Sequence, residues 1–544
     1  MRDWLMRPVD AASLGLFRIL FGLCMAYSFG TYLLKGAVER DLIHPRFHFP
    51  YPGLEVPLPA GWLAWAVVGW IVLSSLLIAV GFYTRVSAAL FAVFHTWWFL
   101  SDAAYYNNHY YLVSLLGLLF CVTSSNRWLS WDRPSRWWIP AWQLYLFRFQ
   151  IALVYWFGAV AKLNPDWLRG IPVCFWLTDR SQSFPVLAHP AATWIVSYGG
   201  ILVDFGAPIL LLFRRTRWIG LAVLVVFHLS NDSLFSIGIF PWLMLSACVL
   251  FLEPDSPRRW LRLTALQRPE KPVPEPLKPA MEFFLVVYCA AQLLLPWRHL
   301  LIPGDAAWTE EGHLFSWRMK LREKAGLIGF AVVDGQRGYL PDTYRDLTPF
   351  QVRKMLGRPW MIREYAEFLS REARLQGYTS PRVLAWTWVS LNRRPHQTLV
   401  DPLQDAASPL ETWIQPFRDL RYPPPGPCTL DLSILQPKPR EHVSFHVDIL
   451  DEPTNVPVST GRMEARETAQ ATRFTGLPAG RHRILVLVTS PGGLVMGHLV
   501  SAIELQPGPN QAVARLENFQ RGPPVGLRTG GSAPVEPLSN DGQQ

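Results

Sequence analysis

Three short stretches gather the residues best able to do chemistry. "YYNNHYYLVSLL" carries Asn107, Asn108 and His109 at the opening of an apolar run. "LVYWFGAVAKLNPDW" closes another run on Lys162. "FHLSNDSLFSIGIF" sets His228, Asn231 and Asp232 between two more. Ionisable groups at membrane depth are costly and are functional candidates by default. Withdrawal from water disfavours an ammonium ion, and a neutral amine can act as a base near neutral pH. Amides and imidazoles beside it could hold a polar head group whose apolar tail lies among helices. A quinol is one such molecule.

Each feature also has a plainer reading. Lys162 alone fits a snorkelling anchor at a helix end. It also fits a structural ion pair, with Asp232 as candidate partner. Asn107, Asn108 and His109 fit a capped helix N-terminus. His228 fits a hydrogen-bonded core residue. Arg18 and Arg148, inside apolar runs as well, read as snorkelling or ion-paired. The chemical reading gains from convergence: separate segments bring amine, amide and imidazole groups to one membrane depth.

The elements that must position these groups follow from composition. Half of the 544 residues are hydrophobic, 17% are charged and 25 are Trp, the profile of a membrane protein with a soluble part. The net charge of +10 sits largely in short loops between apolar runs, which orients membrane helices and does not point to nucleic acid. The runs fall at 12–34, 61–82, 86–101, 109–123, 141–162, 194–213, 218–230, 234–252 and 281–297, giving eight or nine spans. With the N-terminus cytoplasmic, the loops around 2–7, 85, 127–136, 214–217 and 258–278 carry 15 basic residues on that side. The opposite loops before residue 298 carry 5: Lys35, Arg40, Arg46, Arg169 and Arg180. This supports an odd number of spans and a first helix that is not cleaved. The six cysteines form no Cys-x-x-Cys pair, so no zinc site is expected and the thiols read as small apolar groups.

Beyond residue 298 the character changes. "LTPFQVRKMLGRPWMIREYAEFLSREARLQGY" reads as two amphipathic helices broken near 357–359. "VLAWTWVSL", "HVSFHVDIL", "RHRILVLVTS", "LVMGHLVSAIEL" and "NQAVARLENF" read as strands between Pro/Gly turns. The expected fold is a multi-pass α-helical membrane domain at 1–300, a mixed α+β region at 301–430 and a β-sandwich-like domain at 431–520. A disordered tail is expected at 521–544.

At these same stretches the sequence resembles the vitamin K-dependent γ-glutamyl carboxylase family. Further matching segments are "LFRILFG", "GGILVDFGAPILLLF", "FSWRMK", "DGQRGYL", "VSLNRRPHQTLVDP" and "LPAGRHRI". The resemblance implies an integral membrane enzyme, a carbon-carbon lyase with coupled monooxygenase activity. Its cofactor would be reduced vitamin K, as phylloquinol or menaquinol, with O2 and CO2 as co-substrates and no metal. It implies that Lys162 deprotonates the hydroquinone and that oxygenation towards the epoxide yields a strong base. That base takes a γ-proton from peptidyl glutamate, and carbon dioxide adds. Asn108, His109 and His228 would lie around the quinone head group, with His109 assisting as a catalytic residue; Asn107 and Asn231 are added as supporting candidates there, and Trp317 as one for the glutamate substrate.

Several positions depart from the family. Phe315-Ser316-Trp317-Arg318-Met319-Lys320 stands for Tyr-Ser-Trp-Asp-Met-Met, and Leu403 replaces an arginine after Asp401-Pro402. The early loop "ERDLIHPRFHFPYPGLEVPLP" has no cysteine, where vertebrate members have a disulfide to the lumenal domain. These departures suggest a bacterial homologue in an inner membrane with a periplasmic C-terminal region and a Glu-containing peptide or protein substrate. Two alternatives stay open: a quinol-dependent oxygenase with another substrate, and a non-catalytic membrane scaffold or transporter.

Overall fold

The computed structural model describes residues 2–131, 137–235, 237–262, 272, 276–410, 413–436, 443–452, 454–465, 469–490 and 493–524. The expected tail from residue 525, and Arg133, Arg136, Arg268 and Lys271 of the basic loops, lie outside these residues. The described residues form two compact units. The first holds 1–44, 55–302 and 312–321, and the second 45–54, 303–311 and the chain from 322.

All nine apolar runs of the first unit are helical. They are α1 (Ala12–Leu34), α2 (Trp62–Val80), α3 (Thr84–Leu100), α4 (Asn108–Val122) and α5 (Ala141–Lys162). Then come α6 (Pro190–Leu212), α7 (Arg217–Phe235), α8 (Phe240–Ala247) and α9 (Pro279–Leu294). Among the described residues, six are long and apolar enough to cross a membrane: α1, α2, α5, α6, α7, and α9 with the turn that continues it to Leu301. The protein is thus a multi-pass membrane protein, and the count of eight or nine spans depends on the shorter α3, α4 and α8.

Close packing here uses small residues, as it does where lipid supplies no hydrophobic drive between helices. A Cβ on Gly22 of α1 would lie 2.6 Å from the Ala79 nitrogen and the Ser75 carbonyl oxygen of α2. Arg18, one turn earlier, does not snorkel. It is fully buried and donates to the carbonyls of Ile78 (2.5 Å), Ala79 (3.0 Å), Trp128 (3.3 Å) and Leu129 (2.6 Å). The last carbonyls of a helix have no partner within it, and a cation suits that end of the dipole. Arg148 does the same for Leu250 (2.6 Å) and Leu252 (3.1 Å), past the end of α8. Both arginines therefore close backbone ends.

The second unit is mixed. Strands β1 (Lys324–Asp334), β2 (Arg337–Tyr339) and β3 (Arg382–Leu391) form a sheet in the order β2-β1-β3. The two amphipathic helices are α10 (Pro349–Met355), opened by a capping box of Thr348 and Gln351, and α11 (Pro359–Leu375). Beyond them come β4 (Cys428–Leu435), β5 (Ser444–Asp451), β6 (Pro457–Glu464), β7 (Ala469–Leu477), β8 (Gly480–Thr489), β9 (Val495–Leu505), β10 (Gly508–Arg515) and β11 (Gln520–Arg521). They form one sheet in the order β11-β9-β8-β5-β6 and another in the order β10-β4-β7. Leu430, Leu432 and Ile434 of β4 meet Phe445, Val447, Ile449, Ile484, Val486 and Val488 of the larger sheet, so the two face each other as a sandwich.

Residues 45–54 of the cysteine-free early loop belong to the second unit and are held there by contacts other than a disulfide. Arg46 pairs with Asp346 at 3.0 Å, and Gln351 Nε2 donates to the Phe47 carbonyl at 3.0 Å. The Phe47 ring packs on Phe368 at 4.9 Å and on Tyr365 at 5.8 Å.

Candidate functional site

Helix α5 is buried along most of its length and ends at Lys162. The stop is local. Leu163 leaves the helical region, and Asn164 Oδ1 accepts from the Trp167 amide at 3.0 Å to start the next short helix at Pro165. Lys162 Nζ donates to Asp204 Oδ2 at 2.5 Å and to the Gly158 carbonyl at 3.3 Å. It also lies 5.4 Å from the Trp167 ring centroid. The side chains of Lys162 and Asp204 are only 11% and 6% exposed, so this is a buried charge pair and not a surface contact. Gly158 leaves room for it, since a Cβ there would stand 3.1 Å from Asp204 Oδ2. The partner is therefore Asp204 of α6, and Asp232 stays half-buried near the end of α7.

A second set of contacts is built on aromatic rings. His228 of α7 is buried, with Nε2 2.6 Å from the Tyr155 hydroxyl of α5. Its ring meets Phe240 edge-on at 6.3 Å. On the same Phe240, the His109 ring stacks at 3.6 Å with an interplanar angle of 9°. One phenyl ring thus stands in contact with both histidines. Asn107 fixes His109 by accepting from its backbone amide at 2.7 Å, which caps α4.

His109, Asn107 and Phe240 line a cavity of about 420 Å³ together with Tyr110 and Leu243. The size lies in the range of small-molecule sites, and the walls mix apolar side chains with the polar Ser28, Thr31, Lys35, Asn107 and His109. Lys162, His228, Asn108 and Asn231 do not line it. The structure therefore brings Asn107 and His109 to the cavity and His228 to the ring beside it. Lys162 belongs to a separate ion pair two turns beyond Tyr155 on the same helix.

Asn108 faces elsewhere. Its Oδ1 accepts from the Tyr106 hydroxyl at 2.7 Å, and its Nδ2 donates to the Arg318 carbonyl at 3.2 Å. Tyr106 in turn accepts from the Phe315 amide at 2.5 Å. Asn108 thereby ties the 312–321 segment to α4. In that segment Phe315, Trp317 and Lys320 have φ of 57°, 58° and 48°, a left-handed backbone that bulky residues seldom adopt. Trp317 is 1% exposed and stacks on Tyr111 at 4.8 Å, and its indole Nε1 is buried with no hydrogen-bond partner. Asn231 is half-buried near the end of α7.

Asp204, Tyr155 and Phe240 are the residues that reading the sequence missed. Asp204 had a signal, being the single charged residue of α6. Tyr155 and Phe240 had none, because aromatic residues are common throughout these helices.

Comparison with known families gives two matches. Residues 6–256 match the family model described as the HTTM domain. Residues 277–420 match the one described as the vitamin K-dependent gamma-carboxylase, lumenal domain. The first covers α1 to α8 and the second α9 to the end of the β1–β3 region. No solved structure matches the chain.

Proposed function

Since the chain belongs to the vitamin K-dependent gamma-glutamyl carboxylase family, we propose that it carboxylates glutamate side chains of a peptide or protein in a reaction driven by reduced vitamin K. The observation that carries this reading is the cavity beside His109 and Asn107, lined by both apolar and polar side chains. Its volume and mixed lining suit an aromatic head group with an apolar tail. When bound, reduced vitamin K supplies through its oxygenation the strong base that glutamate γ-deprotonation needs, with O2 and CO2 as co-substrates. Asn107 and His109 hold the head group by hydrogen bonds, and Phe240 keeps both imidazoles in place. His228 is oriented by Tyr155. Lys162 is the initiating base. When Lys162 takes a proton, the Asp204 carboxylate stabilises the ammonium ion that results. The counter-charge is already in place at 2.5 Å.

The altered 315–320 segment favours a second reading. Trp317 is packed against Tyr111 and not presented to a substrate, so the quinol oxygenation could serve a substrate other than glutamate. In both readings the protein lies in a bacterial inner membrane with the chain beyond residue 298 periplasmic. The test uses purified protein with reduced vitamin K, labelled bicarbonate and a glutamate peptide. Epoxide with fixed label supports the carboxylase. Epoxide without label rejects carboxylation in favour of the second reading. Unchanged epoxide formation in Lys162→Ala refutes the base.

A further inference from the structure

A second polar cluster lies in the C-terminal unit. Strand β5 alternates strictly. Phe445, Val447 and Ile449 enter the sandwich core, which leaves His446, Asp448 and Leu450 on the opposite face. On that face Leu450 packs with Trp386 and Trp388 of β3. The chain following β3 folds back so that Gln397 pairs with Val389, with N–H···O distances of 2.9 and 3.0 Å. This return places His396 beside Trp388, the rings nearly parallel with centroids 6.4 Å apart. The His396 and His446 rings then meet edge-on at 4.9 Å.

Asp448 lies between them and is fully buried. Its Oδ2 accepts from the Trp388 indole N–H at 2.5 Å and lies 3.1 Å from His446 Nε2. Its Oδ1 faces His396 Nδ1 at 3.9 Å. That gap is too long for a hydrogen bond, and both atoms are buried without a partner. Two facing lone-pair donors left unsatisfied in a buried site are costly as they stand. A His446–Asp448 pair by itself explains neither of them.

We infer that His396, His446 and Asp448 form a binding site for a divalent transition-metal cation of the zinc class, clamping the chain after β3 to β5. One donor atom from each of the three lies within 4.8 Å of the others. Zinc bonds to imidazole nitrogen and carboxylate oxygen run about 2.0–2.2 Å, so the gap between His396 and Asp448 admits one ion bonded to both. Two imidazoles and a carboxylate, with no thiolate, form a donor set suited to zinc or another late first-row divalent ion. The Trp388 N–H on the second carboxylate oxygen supplies the outer-shell bond that orients such a ligand. The exposed hydroxyl of Thr460, 3.5 Å from His446 Nε2, marks the side open to solvent and to a fourth ligand. Cysteine spacing cannot reveal this site, because its ligands are an His-x-Asp pair on one strand and a histidine fifty residues earlier.

The test uses tag-free full-length protein in detergent, stripped with a chelator, equilibrated with Zn²⁺, desalted and assayed for metal. Wild type should retain about one zinc per chain, and His396→Gln and His446→Gln should retain little, while His189→Gln, at an exposed residue of the membrane unit, should match wild type. Zn²⁺ should also raise the Tm of stripped wild type, a readout independent of how well the variants fold. Zinc-free wild type, no rise in Tm, or a full equivalent retained by His446→Gln would each overturn the site.

Discussion

At the scale of single residues, the decisive feature is the carboxylate beside Lys162. An amine buried alone would be costly to charge. Paired with Asp204 at 2.5 Å, it has a compensating charge at hand. The prediction is that Asp204→Asn lowers epoxidation by about 100- to 10,000-fold, the span usual for general acid–base catalysis. Lys162→Ala should do the same, and the double variant should be no worse than either single one, because the two act as a unit. Removing one partner of a buried pair also destabilises by about 3–5 kcal/mol. Lys162→Met/Asp204→Leu therefore serves as control: it should recover thermal stability relative to the single variants yet remain inactive. Recovery of activity would mean that the pair is structural. Lys162 was legible in the sequence because it converges at one membrane depth with the amides and imidazoles of other apolar runs. Its partner was not, because Asp232 and Asp204 are both acids at helical positions and only packing decides between them. Asn108 was legible as a polar residue at membrane depth, but its bond to Arg318 joins positions 210 residues apart, which no local pattern encodes.

At the scale of elements, hydrophobicity and length did most of the work. Every apolar run became a helix, with boundaries moved a few residues by caps such as His189, which accepts from the Ala191 amide and starts α6 at Pro190. The five segments read as strands are strands. The missed ones were β1, β2, β4, β6, β7 and the two-residue β11. β6 carries half-buried and exposed side chains with a single buried one and lies at a sheet edge, and β1 is interrupted by Gly326 and Gly329. Such strands are set by neighbours more than by their own residues. The two arginines inside apolar runs show the same limit. Charge alone suggested snorkelling, whereas the free carbonyls they meet are visible only after α2 and α8 have ended. Arg18→Met should therefore strip donors from four carbonyls and cost at least about 3 kcal/mol, since bonds to charged groups are worth about 1.5–3 kcal/mol each. The measurement is thermal unfolding in detergent, with Arg215→Met, at an exposed loop position, as the comparison that should be silent. Equal melting of the two variants would show that the carbonyls find other partners.

At the scale of the whole molecule, orientation is the property that the loop charges argue and that packing alone does not. The basic excess in the loops after α2, α4, α6 and α8 favours the cytoplasm for those ends, with α9 leading out. The shorter helices decide the parity. If α3, α4 and α8 each cross, the chain beyond residue 298 lies on the membrane side opposite the basic loop between α6 and α7. Were one of the three re-entrant, the sides of everything after it would reverse and the charge asymmetry would be lost. Labelling with a membrane-impermeant maleimide tests this directly. Thr454→Cys, exposed in the turn after β5, should react in intact cells with a permeable outer membrane. Arg215→Cys should react only after lysis. The six native thiols are half-buried or buried, so wild type provides the background. Labelling of Arg215→Cys from outside, with protection of Thr454→Cys, would reverse the topology. It would place the sandwich and its histidine–aspartate cluster in the cytoplasm, and with it the glutamate substrate, which would then have to be a cytoplasmic protein.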